Sequence, residues 1–131
     1  MKIRDLCVSF GEKQVLDHFT ADFGPGITLL KAPSGYGKTT LLHTIAGLII
    51  PDSGEIIGRP EKISLMFQDD RLFPWLTALQ NIKAVCDDEA LSRRLLEAVE
   101  LSEEEKSKPA SLSGGMRRRI SFARALAYQG D

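Results

Sequence analysis

Hydrophobic and polar positions follow two different patterns in the first fifty residues. Apolar side chains alternate with polar ones in residues 2–9, which predicts a half-buried strand. A turn at residues 11–13 and a second apolar stretch at 15–23 predict the returning strand. Residues 27–30 form a continuous apolar run, which is typical of a strand buried on both faces. A helix is predicted for residues 38–48.

The rest of the chain has a mainly helical pattern. A turn is predicted at residues 51–54, and the apolar run 63–67 predicts a second strand buried on both faces. Polar capping residues predict two helices. The first is capped by Thr77 and ends near residue 85, and the second is capped by Asp87 or Asp88 and ends near residue 101. The last predicted helix covers residues 115–129. Alternating strands and helices together predict an α/β sheet protein.

Composition limits the class of protein. The chain has 131 residues, of which 43% are hydrophobic and 27% are charged, so we expect one globular domain covering residues 1–131. Lys and Arg number 17 against 18 for Asp and Glu. Because the charges nearly cancel, no overall electrostatic field attracts a polyanion, and any phosphate binding has to come from a local group of residues. The longest apolar run, residues 45–50, is far shorter than the roughly 20 residues that span a bilayer.

The two cysteines carry no motif of their own. Cys7 and Cys86 lie far apart, without a CxxC pair and without a cluster of metal ligands along the sequence. We therefore interpret them as small buried hydrophobic residues of a cytosolic protein.

The strongest motif joins the apolar run 27–30 to the helix that follows it. It fits the pattern G-x-x-x-x-G-K-[ST], with alanine in the first glycine position. Two glycines let successive backbone N–H groups face an anion, and the helix adds its positive N-terminal end. The alternative is a tight strand-to-helix turn with a surface lysine. The candidate residues are Ala32, Pro33, Ser34, Gly35, Tyr36, Gly37, Lys38, Thr39 and Thr40.

Two side chains of this loop have chemistry suited to a nucleotide. Lys38 can place its charge against the β- and γ-phosphates, and the hydroxyl of Thr39 can bind Mg²⁺.

A second motif stands at the start of the last predicted helix. Ser113, Gly114 and Gly115 belong to the sequence Leu-Ser-Gly-Gly-Met. Two glycines at a helix N-terminus expose N–H groups to an anion, and the serine adds a hydroxyl donor. The alternative is an ordinary serine cap on an amphipathic helix.

Together, the two motifs resemble the ATP-binding subunits of ABC transporters, in which a P-loop is followed by an LSGGQ-type signature. The resemblance implies an ABC-type P-loop NTPase fold, incomplete because the central Walker B strand is absent. It implies ATP and Mg²⁺ as cofactors. It also implies a head-to-tail dimer, in which Ser113, Gly114 and Gly115 contact ATP held by the P-loop of a second ATP-binding subunit.

The resemblance assigns roles to two further residues. Phe10 would stack on the adenine ring; the alternative is a strand residue that points into the core. Gln68 would contact Mg²⁺ and the attacking water as the catalytic glutamine of the Q-loop; the alternative is a solvated polar loop residue.

The sequence of residues 67–77 looks most like the corresponding stretch in subunits of nitrate, sulfonate or taurine importers. In this family, the region that corresponds to Gln68–Thr77 contacts a helix of the transmembrane permease subunit. Phe73 and Trp75 would then form an exposed apolar patch, although Trp75 could instead anchor the loop in the core.

The resemblance extends to residue 131. In the family, the next element is a strand that ends in the Walker B Asp and the catalytic Glu, and a switch histidine follows later. Neither His18 nor His43 matches the position of that histidine. We therefore expect this chain to bind MgATP weakly and not to hydrolyse it. Steady ATP turnover that is lost in Lys38→Ala would contradict this expectation. We also expect marginal stability, because the missing central strand leaves unpaired sheet edges.

The function expected from the resemblance is energy coupling in an importer, at the cytoplasmic face of the cell membrane as a peripheral subunit. One alternative is a truncated, non-hydrolysing piece that binds nucleotide or a partner. A soluble ABC ATPase acting on nucleic acid is disfavoured, because Lys38 and Ser113 are too close in sequence for a long coiled-coil insertion. The arginines of the last helix are expected to cover acidic neighbours or to hold phosphates, with no nucleic acid as partner. These are Arg117, Arg118, Arg119 and Arg124.

Overall fold

The computed structural model describes residues 1–130. The chain divides into two compact units, the first covering Met1–Glu61 and the second beginning at Lys62. Across residues 1–130, none of the helices combines the length and the apolar character needed to cross a bilayer.

The first unit is built on a three-stranded antiparallel sheet with the order β2-β1-β3. The predicted hairpin is confirmed, because β1 and β2 pair across the turn at Gly11. One helix, α1, follows the glycine-rich loop and ends earlier than predicted. The elements are β1 (Lys2–Phe10), β2 (Lys13–Asp22), α1 (Lys38–Ile45) and β3 (Ser53–Ile57).

The core of the first unit follows from the alternation in β1. Leu6 and Val8 lie two residues apart, and both are buried against Leu16 of β2 and Leu41 of α1. Ile3 completes this cluster. The sheet therefore presents one apolar face to α1.

Two predictions for the first unit are wrong. The predicted turn at residues 51–54 overlaps β3, whose Ile56 pairs with Ile3 of the central strand. The predicted strand at residues 27–30 does not form, and Ile27 and Leu29 are fully or largely exposed. A strand requires a neighbour for its backbone hydrogen bonds, and no strand of the described part of the chain pairs with this run.

The second unit is helical. The three predicted helices are confirmed; each ends two or three residues earlier than predicted, and the last begins one residue earlier, at Gly114. Short 3₁₀ turns at Ser102–Glu104 and Pro109–Ser111 lie between the second and third of these helices. Their apolar faces pack into one cluster around Ile82, Leu96 and Ile120. The helices are α2 (Ala78–Lys83), α3 (Glu89–Ala98) and α4 (Gly114–Ala127).

Each helix of the second unit begins at a side-chain cap. The Thr77 hydroxyl accepts a hydrogen bond from Gln80 N, and the Gln80 side chain accepts one from Thr77 N, which completes a capping box. Asp88 accepts from Leu91 N, and Ser113 accepts from Met116 N at 3.2 Å. These caps satisfy backbone donors that have no partner within the helix.

The predicted strand at residues 63–67 is also wrong. The segment is half-buried, but no strand of residues 1–130 pairs with it. Its Ser64 hydroxyl donates to the carbonyl oxygen of Ala125 in α4 at 2.6 Å. This hydrogen bond connects the segment to the last helix.

Candidate functional site

The loop that precedes α1 depends on two left-handed glycines. Gly35 has a φ of 85° and Gly37 a φ of 76°, a region that side chains disfavour. A Cβ atom at Gly37 would also lie 3.0 Å from both Cγ1 and the carbonyl oxygen of Val15. Glycine at position 37 is therefore required both by the backbone conformation and by the close approach of β2.

The N-terminus of α1 has no side-chain cap. Gly37 is the N-cap residue, and no acidic residue lies in the first turn. The first intrahelical hydrogen bond runs from Leu41 N to Gly37 O at 2.8 Å, so the N–H groups of Lys38, Thr39 and Thr40 precede it. The loop therefore leaves a concentrated set of donors and the positive end of the helix dipole available to an anion.

Lys38 lies across the same loop. Its ammonium group donates to the carbonyl oxygens of Ala32 and Pro33, at 2.7 and 2.6 Å. The lysine thus turns back over the residues that open the loop, which keeps its charge beside the N-terminus of its own helix. A phosphate at the helix N-terminus would meet this charge directly.

The remaining residues of the motif are mostly open to solvent. Ser34, Tyr36 and Thr39 are exposed, whereas Ala32 and Thr40 are half-buried. An exposed Thr39 hydroxyl in the first turn of α1 can take part in binding a cation that also contacts a phosphate. Because the nine residues are contiguous, a single loop brings the predicted P-loop together.

Phe10 lies at the end of β1 with 54% of its surface exposed. It therefore does not point into the core, which removes the alternative considered for it. A half-exposed aromatic ring at a strand end can accept a planar ring by stacking.

The signature residues lie at the start of α4 in the second unit. Ser113, Gly114 and Gly115 are all exposed. Ser113 acts as the helix cap, as the simpler interpretation predicts, and its hydroxyl hydrogen stays available to a further acceptor. The two interpretations of this motif are thus compatible, because capping uses only the oxygen of the serine.

Gln68 is exposed, and the loop that follows it is fastened to α4. The Asp70 carboxylate accepts from Arg117 Nε at 2.9 Å, and Arg117 also donates to Leu112 O at 2.8 Å. Arg124 donates to the carbonyl oxygens of Asp70 and Arg71, at 3.1 and 2.9 Å. The loop after Gln68 and helix α4 therefore form one connected region of the second unit.

Three of the four arginines of this cluster, Arg117, Arg119 and Arg124, have local partners in the second unit. Arg119 donates to Val99 O at 2.8 Å and lies 3.7 Å from the Glu100 carboxylate. Burial lowers the pKa of the Arg124 guanidinium, and the Asp70 charge acts against this shift. These contacts give the cluster a structural role within the second unit.

A buried amide that the sequence analysis missed shapes residues 73–77. Asn81 of α2 is fully buried, accepts from Phe73 N at 2.8 Å, and donates to the carbonyl oxygens of Phe73, Leu76 and Thr77. The signal in the sequence was a polar residue directly before Ile82 on the buried face of the helix. Its amide replaces the hydrogen bonds that a secondary-structure element would have supplied.

The Asn81-held loop presents two aromatic rings. Phe73 is 40% and Trp75 is 66% exposed, and their ring centroids lie 5.5 Å apart. Trp75 is therefore not a core anchor, and the expected exposed apolar patch is confirmed.

Comparisons with known proteins agree with this geometry. The family described as ABC transporter matches residues 18–131. The aliphatic sulfonates import ATP-binding protein SsuB of Delftia acidovorans is 43% identical over 124 residues, covering 90% of this chain and 51% of that protein. SsuB 2 of Rhodococcus jostii (strain RHA1) is 40% identical, covering 98% and 55% respectively. The chain thus spans about half the length of the curated relatives it matches.

A solved structure supports the same fold. The ATP-binding cassette MJ0796, in a dimeric post-hydrolysis state bound to ADP and Pi, aligns with a TM-score of 0.77 and 27% identity. The alignment covers 97% of this chain and 69% of that one. From the family match, this shared fold and the motifs at residues 32–40 and 113–115, the chain belongs to the ABC transporter family and has the mixed α/β fold of its ATP-binding domain.

Proposed function

We propose that the loop at residues 32–40 binds the phosphates of ATP together with Mg²⁺. The observation that carries this proposal is the uncapped N-terminus of α1, since each of the three α-helices of the second unit has a side-chain cap and this one has none. Lys38 supplies a charge beside the free donors, and glycine at position 37 supplies the close backbone approach.

Within the first unit, we propose that Thr39 binds Mg²⁺ through its hydroxyl and that Phe10 stacks on adenine. For Gln68, in the second unit, we propose that its amide contacts Mg²⁺ and the attacking water. All three side chains are exposed, which leaves each of them open to a ligand. We further propose that residues 1–131 belong to one ABC-type ATP-binding domain.

The signature implies a second subunit in the same proposal. Ser113, Gly114 and Gly115 contact the γ-phosphate of ATP held by the partner of a head-to-tail dimer. Their exposure and the free hydroxyl hydrogen of the capping Ser113 support this role. The related cassette MJ0796 was solved as a dimer bound to ADP and Pi.

The wider role that we propose is energy coupling for an importer of aliphatic sulfonates or similar anions. The relatives named as sulfonate import ATP-binding proteins support it. In this proposal the subunit lies peripherally on the inner face of the cell membrane. The exposed pair Phe73 and Trp75 contacts the permease subunit, because an aromatic patch held by a buried amide suits a stable docking surface.

The decisive experiment is a titration of the chain with MgATP, followed by the anisotropy of a fluorescent ATP analogue. Lys38→Ala should weaken binding about 10- to 100-fold, because one charged hydrogen bond to phosphate contributes roughly 1.5–3 kcal/mol. The matched control is Lys31→Ala, which removes an exposed lysine of the approach to the same loop and should leave binding unchanged. Equal affinities for Lys38→Ala and the parent chain would rule the site out.

A further inference from the structure

The pairing of β1 with β2 is irregular at Cys7. The register shifts between the pairs on either side, so this residue of β1 lies opposite two residues of β2, Asp17 and His18. This arrangement is a β-bulge, which turns side chains away from the regular alternation. As a result, one strand contributes a thiol and the other a carboxylate and an imidazole to the same place.

The backbone is strained at this place. His18 has a φ of 45° and Asp5 a φ of 47°, both in the left-handed region. His18 N donates to Cys7 Sγ at 3.3 Å, and Asp5 N donates to the Thr20 hydroxyl at 3.0 Å. These two bonds hold the irregular backbone in place around the sulfur.

The three side chains present ligand atoms close to one another. Cys7 Sγ, a carboxylate oxygen of Asp17 and a ring nitrogen of His18 all lie within 4.8 Å of each other. The His18 Nε2 atom is 3.9 Å from Asp17 Oδ1. Bonds of about 2.0–2.3 Å to a tetrahedral ion place its ligands roughly 3.3–3.8 Å apart, so a shift of about an ångström closes the site.

Two neighbouring groups lie beside these ligands. The Nδ1 atom of His18 is 4.0 Å from Asp5 Oδ1, longer than a hydrogen bond, and a shift of about an ångström would let the Asp5 carboxylate accept from this nitrogen. Gln14 Nε2 donates to Asp17 Oδ1 at 3.0 Å. Partners of this kind behind a ligating imidazole and a ligating carboxylate are a regular feature of metal sites.

We propose that Cys7, Asp17 and His18 form a Zn²⁺ site on the β1–β2 hairpin, with Asp5 as a positioning residue. A thiolate, an imidazole and a carboxylate together favour a borderline transition metal over Mg²⁺ or Ca²⁺, which prefer oxygen. The side chains of Asp17 and His18 are about 70% exposed, which gives the ion a path to the buried sulfur. Three protein ligands leave a fourth position for water.

The interpretation of Cys7 as a small buried residue with a free thiol is confirmed, and the proposal adds a metal-binding role to it. No spacing rule along the sequence could have found the cluster, because the cysteine and its two neighbours lie on different strands. Only the shifted register brings them together.

The test uses the full chain and Co²⁺ as a spectroscopic substitute for Zn²⁺. We expect binding of one equivalent, a near-ultraviolet thiolate-to-cobalt band, and displacement of that band by Zn²⁺. His18→Asn should weaken binding at least about tenfold, and Asp5→Asn by up to about tenfold. Asparagine tolerates the left-handed backbone at both positions, so these variants should keep the fold.

The controls separate this site from general thiol binding. Cys86→Ser removes the other free cysteine and should leave the band and the affinity unchanged. Cys7→Ser should abolish the band; if that variant misfolds, His18→Asn and Asp17→Asn decide alone. The proposal fails if the parent chain shows no saturable Co²⁺ binding, if the band follows Cys86, or if both exposed-ligand variants bind as tightly as the parent.

Discussion

The two units of this chain leave their apolar side chains in different environments. In the second unit, Leu96 and Ile120 are buried in one cluster between three helices. In the first unit, the sheet buries Leu6, but Ile27 and Leu29 in the apolar run are largely exposed. A helix satisfies its backbone hydrogen bonds within itself and needs neighbours only for its apolar face, whereas a strand needs neighbours for both.

The largest expected effect tests this contrast with two matched truncations. Ile120→Ala should lower the free energy of unfolding by about 2–5 kcal/mol, because it opens a cavity in the helical core. Ile27→Ala removes the same atoms from an exposed position and should change the free energy of unfolding by less than about 0.5 kcal/mol. Urea unfolding followed by fluorescence of Trp75, the only tryptophan, measures the effect of Ile120→Ala, because both residues lie in the second unit. For Ile27→Ala, urea unfolding followed by far-ultraviolet circular dichroism is the measurement.

Comparable losses in the two variants would contradict the comparison. They would mean that residues 27–30 are packed in solution, and that the core of the first unit includes side chains that are exposed in this structure.

The same contrast explains how much of the fold could be predicted. The sequence predicts the three helices and the cap at Thr77, because caps and amphipathic spacing are local signals. It leaves the cap of α3 between Asp87 and Asp88, and it offers the Ser113 cap as one of two interpretations; the structure has Asp88 and Ser113. The strands at 27–30 and 63–67 were predicted wrongly, because an apolar run shows burial potential but not the presence of a pairing partner.

The candidate site also has a part that the sequence predicts and a part that it does not. The residues of the proposed phosphate-binding loop are contiguous, so their motif is visible in the sequence, including the need for glycine at position 37. The ion pair of Asp70 with Arg117 joins residues 47 positions apart, so it depends on tertiary packing and has no local signature. Asn81 bonds residues only 4 to 8 positions away, but its single sequence signal, a polar residue on the buried face of α2, does not identify those partners.

A smaller effect concerns the helix N-termini. Thr77→Ala removes the capping box of α2 and should cost about 1 kcal/mol, measured by the same urea unfolding of Trp75. Thr77→Ser keeps the hydroxyl and is the matched control. Equal stability of Thr77→Ala and Thr77→Ser would show that the cap contributes nothing.

The N-terminus of α1 has no side-chain cap, so the first amides of α1 should gain protection from hydrogen exchange only when MgATP is added.

The smallest effect is a dependence on pH in the second unit. Hydrogen bonds from Lys83 and Arg93 lower the pKa of Glu89, which stands in the first turn of α3, whereas the first turn of α1 has no acidic residue. A depressed carboxyl pKa adds stability above its ordinary value of 4.5, and that stability is lost as the pH falls through the folded-state pKa. Glu89→Gln should therefore lower the urea midpoint slightly at pH 7 and leave it unchanged once the parent carboxylate is protonated. Because the group is exposed, salt should shrink the difference at pH 7, and a difference that persists at low pH would assign the effect to lost packing instead of charge.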